Sequence, residues 1–118
     1  MRFLTALIFT FLVTPAFALT TLSTPAISVE GSDGILCNIT NTSTTKSLDV
    51  TISLHGESGT LEGSSTATLM PGTTTALVNT GIVDFVRCVF TFSGSSKLAR
   101  AAMEIDNASV QRILATAN

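Results

Sequence analysis

The chain has 118 residues with eight acidic and six basic side chains, a net charge of −2, and neither tryptophan nor tyrosine. This weakly acidic balance excludes the clustered cations that nucleic acids and anionic lipid surfaces demand. The length suits one domain, and the mean hydropathy of +0.51 owes much to one end of the chain.

Residues 1–18 read as an export signal. Arg2 supplies a positive start, Phe3 to Val13 an apolar run, and Thr14-Pro15-Ala16-Phe17-Ala18 a small-x-small ending. As a helix that run spans about 16 Å, roughly half the ~30 Å hydrocarbon core that a permanent anchor must cross. The expectation is cleavage after Ala18, a mature domain over 19–118 with no stable membrane insertion, and a secreted or periplasmic location. In residues 19–118 five basic face eight acidic side chains, for a charge near −3, and 17 Thr and 13 Ser supply most of the polarity. Only Phe85, Phe90 and Phe92 remain as aromatics, so the core must be built mainly from Ile, Leu, Val and Ala.

Residues 26–30 suggest a first short strand. Gly34 to Thr42 brings Ile35, Cys37 and Ile39 to one face. Leu48, Val50, Ile52 and Leu54 alternate with Asp49, Thr51, Ser53 and His55, which is the pattern of a half-buried strand. Thr66 to Met70 reads as extended and ends at Pro71-Gly72, and Thr73 to Val78 resumes it. Val83 to Phe92 is the most apolar strand, with Val86, Cys88, Phe90 and Phe92 on one side. Turns are expected at Gly31–Gly34, Gly56–Gly59, Glu62–Ser65 and Ser93-Gly94-Ser95-Ser96.

Leu98 to Ile105 holds good helix formers, yet alternation groups Ala99, Ala101, Met103 and Ile105, and a strand is expected. For Ser109 to Thr116 a strand and a short helix capped by Asn107 both stay open. Seven or eight short strands with regular turns and no strand-helix-strand rhythm predict an all-β, two-sheet antiparallel sandwich.

Two cysteines in an exported chain, each on the apolar face of a predicted strand, are expected to form one disulfide. Joining Cys37 to Cys88 closes a loop of about 52 residues, which the chain-entropy argument equates with roughly 4 kcal/mol. If the Ser93–Ser96 turn made a hairpin, Phe92 would face Lys97, Phe90 Ala99, Cys88 Ala101 and Val86 Met103. The outer face of that hairpin would then gather Phe85, Arg87, Val89, Arg100 and Glu104 into a candidate contact patch, weighed against an ordinary mixed surface.

The strand around Cys37 with Asn41, the run Thr68-Leu69-Met70-Pro71-Gly72, Arg87-Cys88-Val89-Phe90 and Gly94 to Ala102 together resemble one family type. It is that of small, single-domain, exported bacterial proteins of uncharacterised function with an immunoglobulin-like β-sandwich. The resemblance covers about residues 35–105. It implies that fold, a Cys37–Cys88 bond and export, and it implies no activity. The core Trp and the Tyr near the second Cys of antibody domains are both absent.

Catalytic and metal sites find little support. His55 is the single histidine and lacks a partnered nucleophile, and Ser58, Ser64, Ser65, Ser95 and Ser96 lie outside any G-x-S-x-G elbow. Glu57 and Glu62 flank a turn but fall short of the six or more oxygens calcium needs. No catalytic, cofactor or metal residues are therefore expected. N-x-[ST] sequons occur at Asn38, Asn41 and Asn107, where a chain this rich in hydroxyls yields one or two by chance, so they carry little weight. The functional expectation is a non-enzymatic exported module that binds a protein or glycan partner. The alternatives are a structural or stress-protective envelope protein and, behind both, a small hydrolase. The oligomeric state stays open.

Overall fold

The structure is a computed structural model in which residues 19–106 and 112–117 are described. The export segment 1–18, the Asn107 sequon and the Asn107 cap lie outside the described residues.

The described residues form nine strands: β1 (Leu19–Ser23), β2 (Ile27–Val29), β3 (Gly34–Asn41), β4 (Leu48–His55), β5 (Leu61–Leu69), β6 (Thr74–Thr80), β7 (Asp84–Ser93), β8 (Ala99–Asp106) and β9 (Arg112–Thr116). One sheet runs β1-β7-β4-β5, with β2 on the same edge of β7 as β1. The other runs β6-β3-β8-β9, and every pairing is antiparallel. An all-β fold of two antiparallel sheets is thus as expected. Residues 112–116, open between helix and strand from sequence, pair with β8 as a strand.

Alternation builds the core. Ile35, Cys37 and Ile39 of β3, with Ala101, Met103 and Ile105 of β8, face Val50, Ile52 and Leu54 of β4 and Val86, Cys88, Phe90 and Phe92 of β7. Phe90 and Phe92 are the largest fully buried side chains. Truncating either to Ala would cost about 3–5 kcal/mol. Cys37 and Cys88 meet at an S–S distance of 2.02 Å across 51 positions of sequence, tying β3 of one sheet to β7 of the other.

Three buried polar residues close the ends. Thr24 sits where Pro25 interrupts the first edge. Its N–H donates to Cys88 O (3.0 Å) and its hydroxyl accepts from Cys88 N–H (2.9 Å). Asn41 is fully buried and donates through Nδ2 to Lys46 O (2.7 Å) and Leu69 O (3.0 Å), while its Oδ1 accepts from Ser43 N–H (2.9 Å). Both amide hydrogens are engaged, so the Asn41 sequon has no acceptor to offer in the folded chain. Asp33 closes the turn before β3, its Oδ2 accepting from Glu30 N–H (2.8 Å).

Two expectations are corrected. Glu62–Ser65 is not a turn but the start of β5, because pairing with Ser53 and Leu54 of β4 overrides the local Gly-Ser composition. The Ser93–Ser96 segment does not make a β7–β8 hairpin. Gly94 takes a φ of 112°, Ser95 caps a 3-10 turn at Ser96–Leu98, and Thr42 N–H donates to Leu98 O (2.9 Å). The chain thereby crosses to the other sheet, where Ala99 is opposite Asn41 and Ala101 opposite Ile39. The expected partners Phe90–Ala99, Cys88–Ala101 and Val86–Met103 therefore lie in different sheets. Inward alternation is identical for either course of β8, so the pattern alone could not separate them.

Candidate binding face of the five-stranded sheet

The crossing of β8 divides the candidate patch. Phe85, Arg87 and Val89 stay together on the outer side of β7. Arg100 and Glu104 lie on β8, on the outer side of the opposite sheet. The five residues do not form one surface.

What the fold does assemble around Arg87 and Val89 is a ruled polar plane. Thr21 of β1 is opposite Thr91 of β7, which is opposite Thr51 of β4, which is opposite Thr66 of β5. These four threonines form one row across four strands. The neighbouring row is Ser23, Val89, Ser53 and Ser64 by the same registers. Strand spacing sets successive members about 4.8 Å apart and the two rows about 6.8 Å apart. The buried alternates Leu22, Phe90 and Ile52, with the half-buried Ala67, hold the rows in place from beneath.

The hydroxyls of Thr21, Thr51, Thr66, Thr91, Ser53 and Ser64 make no hydrogen bond within the described residues. Charges on the plane are confined to its margins and engaged there. Thr68 donates to Asp49 Oδ1 (2.6 Å), and Arg87 donates to Ser23 Oγ (3.2 Å). An array of unspent hydroxyls, each both donor and acceptor, suits an uncharged polar ligand.

Below Arg87 the plane ends in a small cleft lined by Ala26, Gly56, Glu57, Phe85 and Arg87. Phe85 is 47% exposed there, an aromatic face held at the rim of the hydroxyl plane. Beside it Glu57 and Asp84 face one another. Asp84 accepts from Phe85 N–H (2.7 Å) through Oδ1 and from Glu57 N–H (3.2 Å) through Oδ2. The hydrogen bond and the negative charge of Asp84 push the Glu57 carboxyl above its ordinary 4.5. The Phe85 N–H, and then the Glu57 carboxyl, hold Asp84 below its ordinary 3.8. Gly56 fits closely beside Glu62 and Asp84, since a Cβ there would stand 3.1 Å from Glu62 Oε1 and 3.3 Å from Asp84 Oδ2. Among the described residues no group of three or more His, Cys, Asp or Glu side chains is arranged to hold a metal ion.

The remaining singled-out residues have local roles. His55 Nδ1 lies 3.4 Å from Gly59 O, closing the β4–β5 turn, and Ser58 shares a hydrogen bond with Thr60 (2.7 Å). Ser95 Oγ accepts from Lys97 N–H (3.2 Å) at the β7–β8 crossing. The threonine row escapes a reading of the sequence. Its only trace there is outward Thr at alternate positions such as Thr66 and Thr68, while the register that aligns four strands arises from the tertiary structure.

Fold and face together define a small all-β domain of two antiparallel sheets clamped by one disulfide, with a hydroxyl-rich outer face. No protein-family model, curated protein or solved structure matches the chain. Among the described residues no helix is long and apolar enough to cross a membrane.

Proposed function

We propose that this chain is an exported, non-enzymatic binding module that holds a neutral glycan against the outer plane of its five-stranded sheet. One observation carries the reading: a registered row of four threonine hydroxyls, flanked by those of Ser53 and Ser64, has no partner within the described residues and lies on the same face as the exposed ring of Phe85. Sugars present alternating hydroxyls and apolar C–H faces. A hydroxyl plane meets the first, and an aromatic rim meets the second.

Export, cleavage after Ala18 and a secreted or periplasmic location are part of the proposal. The apolar N-terminal run and the Cys37–Cys88 bond support them, since disulfides persist in oxidising compartments. The fold is proposed as an immunoglobulin-like sandwich in which β1 and β8 have exchanged sheets. In antibody order the strand that follows the second cysteine strand pairs with it, whereas β8 here leaves β7 to pair with β3, and β1 takes the place beside β7.

The test is an NMR titration with a panel of neutral oligosaccharides. Binding should move the amides of Thr51, Thr66, Thr91 and Phe85, and Thr51→Lys should abolish it with the fold intact. Shifts confined to the β6-β3-β8-β9 face, or a protein partner captured by the plane in place of any glycan, would displace this reading.

A further inference from the structure

The two sheets end on the same side in strands of unusual openness. β5 and β6 are the outermost strands of their respective sheets and lie against each other, with Asn79 Nδ2 donating to Glu62 O (3.1 Å). The direction of their free backbone groups follows from the ladders. Asn41 N–H donates to Thr73 O, so odd-numbered residues of β6 face β3, and Thr74, Ala76, Val78 and Thr80 turn their N–H and C=O groups outward. Thr24 N–H donating to Cys88 O fixes the same alternation through β7 and β4, leaving Ser64, Thr66 and Thr68 of β5 facing outward.

An edge of this kind templates pairing unless it is short, charged, bulged or broken by proline. The opposite side of the sandwich uses two of those devices. There β1 and β2 have five and three residues with Pro25 between them, and β9 has five residues beginning at Arg112. On the β5–β6 side neither the stretch Gly63–Leu69 nor Thr74–Thr80 contains a charged residue or a proline. Exposed apolar side chains flank these strands, Leu61 (57% exposed) and Met70 (67%) at the two ends of β5 and Val78 (62%) on β6.

We infer that this double edge is the interface of a two-fold dimer of the chain. β5 pairs antiparallel with the partner copy's β5, and β6 with its β6. The occupant follows from the geometry. A partner that satisfies both ladders must offer two unprotected edges about 10 Å apart, which is the distance between stacked sheets. A second copy offers that pair, and an axis perpendicular to the sheets makes both pairings antiparallel at once. The inference is independent of the ligand proposed above.

Sedimentation velocity of the purified protein over a wide concentration range tests it. The expected result is a species of twice the chain mass. Thr66→Pro combined with Ala76→Pro should convert it to a single-chain species with unchanged far-UV spectrum, because both removed N–H groups point away from β4 and β3. Thr66→Lys with Ala76→Lys provides a second disruption should the proline variant not fold. Hydrogen exchange at Thr66, Thr68, Ala76 and Val78 should slow with concentration. A single-chain species at every concentration would overturn the inference. So would a dimer that survives both edge variants, or fast exchange at those amides within the dimer.

Discussion

Thr24 and Cys88 are joined twice: Thr24 N–H donates to Cys88 O, and Cys88 N–H donates to the Thr24 hydroxyl. Pro25 has no N–H and breaks the edge between β1 and β2 at this point. The side chain of Thr24 supplies an acceptor for the amide of a fully buried disulfide residue. Replacing Thr24 by Val, which keeps the shape, should leave that amide without a partner and destabilise the fold by about 1–3 kcal/mol. Thr24→Ser should lose much less. Urea unfolding of the three proteins gives the comparison.

Asn41 spans the β3–β4 and β5–β6 connections through Lys46 O, Leu69 O and Ser43 N–H. Asn41→Asp removes both donors from a buried site and adds a charge that faces two carbonyls. The expected loss is about 3 kcal/mol or more, and Asn41→Ala should lose a comparable amount. Thermal and denaturant midpoints report it.

Acidification should separate the Glu57 and Asp84 carboxyls. By side-chain NMR, Glu57 should titrate above 4.5 and Asp84 below 3.8, and Asp84→Asn should return Glu57 towards its ordinary value. The raised Glu57 stabilises the fold below 4.5, and that contribution fades as pH rises through its folded midpoint. Asp84 acts oppositely: its contribution is present above 3.8 and fades as pH falls through its folded midpoint. Glu57 is exposed and Asp84 only half-buried, so the change in stability should be small even where the titration shifts are clear.

Gly94 stands at a φ of 112°, and a Cβ there would come within 2.8 Å of Leu98 Cδ1. Gly94→Ala should destabilise the protein by about 1–3 kcal/mol through backbone strain and overlap at the crossing. Ser93→Ala, one residue earlier and exposed, should be near neutral.

Much of the fold was legible because the strands are amphipathic. β3, β4, β7 and β8 each alternate so regularly that their inward residues could be named from the sequence. Leu19–Ser23 was not legible as a strand, since its hydroxyl-rich sequence gains order from pairing with β7. The course of β8 was hidden for a different reason. Ser-Gly-Ser-Ser permits either a hairpin or a capped crossing, and inward alternation is common to both. Phe85, Arg87 and Val89 were recognisable as an outward group. The threonine row was not, because it exists only once four strands are in register.

The pairing of β8 with β3 determines which face each side chain occupies, and cross-strand NMR contacts measure it directly. Cys37 with Met103 and Ile39 with Ala101 are the close, non-hydrogen-bonded pairs, whose Cα atoms should lie about 4.5 Å apart. Strong contacts between the Hα atoms of those pairs are the predicted result. Contacts of the same kind between β7 and β8, with Phe90 beside Ala99 and Cys88 beside Ala101 in one ladder, would contradict it.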